Sequence, residues 1–104
     1  MLHLRIVRGP DRQENVSIAE KGLPFTVGRD GENKLHIRSA AVSRFHAVLS
    51  TEHGGHYVQD MDSTNGTFLN GKPIRKAEIH PGDKITIANV DIVVERAPSP
   101  IPSS

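Results

Sequence analysis

The side chains of this 104-residue chain best suited to hold an oxyanion are Arg29, Arg44, Ser43, Thr64 and Asn65. A guanidinium grips an oxyanion with two parallel N–H donors. Serine and threonine hydroxyls add neutral donors, and an asparagine carboxamide both donates and accepts. Gathered in one place, the set suits a phosphate group beside a peptide backbone. Taken singly, each is an ordinary solvated loop residue, and they lie far apart along the chain. Their chemistry depends on a scaffold that brings separate loops together, and loops on rigid scaffolds are where binding residues concentrate.

Other chemistries are less well supplied. Ser43 and His46 stand three apart, a spacing that joins them on a helix and turns them to opposite faces of a strand. A serine nucleophile also needs an orienting acid and an oxyanion hole, and no Gly-x-Ser-x-Gly elbow surrounds Ser43. The better reading is a loop serine followed by a histidine that hydrogen-bonds the backbone. His53 and His56, in HGGHY, are closely spaced and lack an acidic cluster to complete a metal shell with His36 or His46. His53-Gly54-Gly55 reads instead as a hairpin loop, with His56 entering the next strand. The chain has no cysteine, hence no thiolate nucleophile, disulfide framework or Cys-based zinc site. No metal, cofactor or enzymatic activity is expected.

A net charge of +1 gives no field for nucleic acid, although a local basic patch stays open among the 13 Lys and Arg. One tyrosine and no tryptophan leave a carbohydrate site without aromatic platforms. No apolar run nears the ~20 residues of a membrane span, and the N-terminus has no signal-peptide core. Neither nucleic acid nor membrane is an expected partner; the expected location is the cytoplasm, with the nucleus also open.

The elements that must position the loops read as short strands. Leu2, Leu4 and Ile6 alternate with polar residues, as do Val16 and Ile18, Phe25 and Val27, Leu35 and Ile37, and Ile85 and Ile87, while Val90, Ile92 and Val94 alternate with Asp91 and Val93. Period-two patterning rich in β-branched residues marks half-buried strands. Turn signals separate them at Gly9-Pro10-Asp11, Lys21-Gly22, Asp30-Gly31, Gly54-Gly55 and Pro81-Gly82-Asp83. Many short strands so punctuated predict an all-β sandwich or barrel in a single domain. The stretch SAAVSRFHAVLS, Ser39 to Ser50, fits a helix through Val42, Phe45 and Leu49, or a strand from Phe45 with Ala47 and Leu49 on one face. The strand is favoured, because nothing else in the chain offers that helix a partner. Two Asn-Gly steps, Asn65-Gly66 and Asn70-Gly71, leave room for only a very short strand between them. The tail APSPIPSS, residues 97–104, reads as a Pro/Ser-rich linker, leaving residues 1–96 as the domain.

With VGRD, VSRFHA, DSTNGTFLNG and PGDKITI in this order, the chain from about Leu2 to Glu95 resembles the forkhead-associated (FHA) domain family. Each motif alone is weak; their conjunction in this order is specific. The resemblance implies a β-sandwich of about eleven short strands, with recognition loops at one end that bind phosphothreonine in partner proteins. Arg29 matches the arginine that pairs with the phosphate, Ser43 the serine that donates to it, and Arg44 a flanking basic residue. Thr64 takes a loop position that touches the phosphate in some members. Asn65 matches the asparagine that bonds the peptide main chain. Gly28, His46 and Gly66 match structural supports of the site, while Asn70 and Gly71 match turn positions. The implied partner is a phosphothreonine-containing substrate of a Ser/Thr kinase. A phosphate-independent interaction or oligomerisation module of the same fold is the alternative. The family's loop before the serine helps to choose peptide residues C-terminal to the phosphothreonine. Here it reads RSAAV, and Ala40 and Ala41 bring no charge, so no strong demand for an acidic residue is expected unless Arg38 reaches in. Asp62 and Ser63 make the neighbouring loop mildly acidic.

Overall fold

The computed structural model describes residues 2–7 and 12–95, so the turn at Gly9-Pro10-Asp11 and the 97–104 tail lie outside the described residues. Among the described residues, eleven strands form two sheets. One sheet has the order β2 (Gln13–Ile18), β1 (Leu2–Val7), β11 (Val90–Glu95), β10 (Lys84–Ile87), β7 (Thr67–Leu69), β8 (Lys72–Ile74). The other has β4 (Leu35–His36), β3 (Phe25–Gly28), β5 (Ala47–Glu52), β6 (Gly55–Asp60), β9 (Lys76–Ile79). The neighbours with a determined register pair antiparallel, except β3 and β4, which run parallel. No helix among the described residues is long and apolar enough to cross a membrane.

Alternation sets the core. Leu2, Leu4 and Ile6 of β1, Ile85 and Ile87 of β10, and Val90, Ile92 and Val94 of β11 turn inward from one sheet. Val27, Ala47, Leu49, Val58 and Ile79 are buried on the other. Apolar residues meeting face to face are what hold two sheets together as a sandwich. The expected all-β sandwich and its strands are therefore observed.

The segment from Ser39 to Ser50 departs from the expected phase. It is not a helix, and its strand begins at Ala47 rather than at Phe45, whose side chain is 45% exposed. Ile37, Val42 and His46 are the buried residues of the preceding loop. His46 and Ala47 are buried in succession, which a regular strand does not allow. The loop is held instead by bonds to β3 and its extension, with His46 N–H donating to Val27 C=O at 2.8 Å and Arg29 N–H to Ser43 C=O at 3.0 Å.

The antiparallel order fixes where the loops meet. The C-terminal end of β3, the N-terminal end of β5 and the C-terminal end of β6 are neighbours at one end of the sheet. The loops carrying Arg29, Ser43 and Asn65 leave from these three points.

The two Asn-Gly steps differ in kind. Asn70 and Gly71 have φ of 50° and 86° and close the two-residue β7–β8 hairpin, as a type I′ turn requires. Asn70 also braces the β9–β10 turn: its Nδ2 donates to Asp83 Oδ1 at 3.0 Å and its Oδ1 accepts from Lys84 N–H at 3.0 Å. Asn70→Ala is expected to destabilise the fold by about 1–2 kcal/mol, chiefly through these lost bonds. The check is denaturant unfolding, with ligand binding little changed.

Candidate functional site

Gly28 ends β3 where the backbone of the neighbouring loop comes closest. A Cβ at Gly28 would lie 2.2 Å from the Arg44 carbonyl oxygen and 2.8 Å from Asn33 Nδ2, so any side chain there would push the loop away. That carbonyl accepts from Asp30 N–H at 3.1 Å and from Asn33 Nδ2 at 2.7 Å. Asn33, buried, also donates to Asp30 C=O at 2.8 Å. The Arg29 loop and the Ser43 loop are thus fixed to each other by backbone contacts on both sides of Gly28.

Arg29 lies along this junction. Its Nε donates to Val42 C=O at 3.0 Å, which uses one donor and orients the guanidinium. No acceptor among the described residues meets its two terminal Nη groups, and the residue is exposed. Ser43 sits beside it. The Ser43 hydroxyl oxygen accepts from Thr64 N–H at 2.9 Å, leaving the hydroxyl's own proton to donate elsewhere. Asn65 Nδ2 donates to Ala41 C=O at 2.8 Å, keeping a second N–H and its oxygen for other partners. Arg44, with its side chain 71% exposed, stands 3.7 Å from Asp30 Oδ2, a surface pair that water and salt weaken. The structure brings Arg29, Ser43, Thr64 and Asn65 together through these contacts and places Arg44 at their border.

His46 supports the arrangement from below. It is 0% exposed; Nδ1 accepts from Ser43 N–H at 3.1 Å and Nε2 donates to Gly66 C=O at 2.8 Å. Both ring nitrogens are spent on backbone, and the contact to Ser43 is to its amide rather than its hydroxyl. The Ser43–His46 pair is therefore not a nucleophile and base. Gly66, at φ +86°, takes a backbone conformation that glycine tolerates without strain.

Asp60, which the sequence reading did not single out, anchors the third loop. Its carboxylate accepts from the Ser63 hydroxyl, from Ser63 N–H at 3.1 Å and from the buried Thr67 hydroxyl at 2.7 Å. Ser63 Oγ in turn accepts from Gly66 N–H at 2.9 Å. Asn33 and Asp60 read as surface polar residues in sequence, and only their partners reveal them as struts.

Burial pushes the Asp60 pKa up, but hydrogen bonds from the Ser63 side chain, the Thr67 side chain and the Ser63 backbone, with the His46 ring nearby, outweigh it. The net value lies below the ordinary 3.8. A depressed native pKa gives stability that is fully present above the unfolded value and is lost as pH falls through the native one. Acid unfolding below about pH 4 is thus expected to be shallower in Asp60→Asn than in the parent chain, as measured by denaturant melts at stepped pH. His46→Ala is expected to cost about 2–4 kcal/mol of folding stability and to weaken ligand binding with it, since it empties a fully buried site and removes the partner of the Ser43 N–H and the Gly66 C=O. Thermal and denaturant unfolding would show whether it does.

Known proteins share this architecture. A family model for the FHA domain matches residues 25–88. The ABC transporter ATP-binding/permease protein Rv1747 of Mycobacterium tuberculosis is 42% identical over 67 residues, covering 64% of this chain and 8% of that protein. Protein FraH of Nostoc sp. is 40% identical over 97 residues, covering 89% of this chain and 34% of that protein. The chain therefore spans a small part of these relatives. A solved structure described as showing phosphothreonine-dependent FHA domain interactions superimposes with a TM-score of 0.76 at 23% identity, covering 94% of this chain and 98% of that one. With the family model matched over more than half of its length, across all three loops of the site, this chain belongs to the FHA domain family.

Proposed function

We propose that the chain is a non-catalytic module that binds phosphothreonine-containing segments of partner proteins, substrates of Ser/Thr kinases, in the cytoplasm. The observation that carries this reading is the state of the Ser43 hydroxyl, which accepts from Thr64 N–H and so has its own proton to give, beside the open Nη groups of Arg29. In this reading Arg29 and Ser43 hold the phosphate, Thr64 and Arg44 flank it, and Asn65 bonds the peptide main chain. The domain covers residues 1–96, with 97–104 as a linker.

The energetics agree. A phosphate brings nearly two negative charges at neutral pH and three strong acceptor oxygens. Hydrogen bonds to a charged group are worth about 1.5–3 kcal/mol each, so two or three separate a phosphorylated from a bare threonine. Recognition of phosphate by arginine is the mode that FHA modules share with other phospho-motif readers. Nothing at the site is arranged to activate water: His46 has no ring nitrogen to spare.

Titration of the chain with matched phosphothreonine, phosphoserine and unmodified threonine peptides tests the reading. Binding is expected in that order, with a methyl niche worth roughly 1–3 kcal/mol separating the first two. Equal binding of the unmodified peptide would overturn it in favour of a phosphate-independent module. Arg29→Ala is expected to lose about 2–5 kcal/mol of phosphopeptide affinity while staying folded. Asn65→Ala, in contrast to Asn70→Ala, should cost binding more than stability, as titration and melting of the same protein would show.

A further inference from the structure

An open pocket of about 530 Å³ lies apart from Arg29 and Asn65, between the edge strands β2 and β4. Arg12 and Glu14 enter it from the start of β2, His36 and Arg38 from β4 and the loop after it, and Asn89 from the β10–β11 turn. Neither Arg12 nor Arg38 is held in an ion pair with a described residue, and both are exposed. Glu14 and His36 are each engaged already. Two guanidiniums with no ion-pair partner among the described residues thus share one cavity with a single, already engaged carboxylate, which favours an anionic occupant.

The pocket joins the proposed phosphate site through one loop. Arg38 and Ser43 are five residues apart, which bounds their separation at about 18 Å even for a fully extended chain. A bound peptide in extended conformation covers that span in about five or six residues.

We infer that the Arg12–Arg38 pocket receives a second anionic side chain, phosphoryl or carboxylate, of the same segment whose phosphothreonine occupies the Arg29–Ser43 site. This rests on the reading under Proposed function. The charge that Ala40 and Ala41 lack is supplied here by Arg38 and by Arg12 from a distant part of the chain.

The test uses the whole chain and peptides with one phosphothreonine. Into these, a phosphoserine, a glutamate or an alanine is placed at each position about two to six residues to either side. At one spacing the phosphoserine is expected to raise affinity about tenfold over alanine, and glutamate by less. The Arg12→Ala/Arg38→Ala double variant should lose that gain and keep its affinity for the alanine peptides within about twofold, because both side chains are exposed. A gain that persists in the double variant, or no gain at any spacing, would overturn the inference. If the alanine peptides bind no better than their unphosphorylated forms, the Arg29–Ser43 reading itself fails and the second subsite falls with it.

Discussion

The arrangement of the loops depends on one buried imidazole. His46 accepts a hydrogen bond from the amide of Ser43 and donates one to the carbonyl of Gly66, so the loop before β5 and the loop after β6 share a single rigid strut. Both contacts are to backbone, so they fix the paths of the chains and leave the side chains free for other partners. The ring itself is fully buried, and losing it would leave both backbone groups without this partner. A histidine suits the position because one ring donates and accepts at opposite ends of a flat, compact shape. No apolar residue of similar volume could do both.

A second constraint works by closeness. The carbonyl of Arg44 passes so near Gly28 that only a hydrogen fits there, and the same carbonyl collects bonds from Asp30 and Asn33. The Arg29 loop cannot shift without moving the Ser43 loop. Asp60 does the equivalent for the Thr64–Asn65 loop through Ser63 and Thr67. Each loop is braced by polar groups, Asn33 and Asp60 among them, and the His46 ring ties the Ser43 loop to the Asn65–Gly66 loop.

Much of this was legible in the sequence. Alternation of Leu2, Leu4 and Ile6, or of Val90, Ile92 and Val94, reports which face a strand buries, and β-branched residues with Gly-rich turns report the sandwich. Arg29, Ser43 and Asn65 stood out by residue type and by their place between strands. Where periodicity failed, at Phe45 and His46, a polar side chain held a core position because its hydrogen bonds were satisfied from distant loops. A pattern of apolar residues does not register that kind of burial. Asn33 and Asp60 were missed for the same reason: in sequence they are indistinguishable from solvated loop residues. The Arg12–Arg38 pocket was also out of reach, because its two arginines meet only through the pairing order of the sheets.

The contacts that join Thr64 to Ser43 and Asn65 to Ala41 run between the loops themselves. Their consequence is kinetic. Loops that are already set in position pay little ordering entropy at encounter and need no slow rearrangement before docking. Association is then governed by diffusion and orientation, and differences among related peptides fall mainly on how long each stays bound. On the proposed reading, such pre-set loops would let the module sample many candidate segments quickly and discriminate among them by residence time.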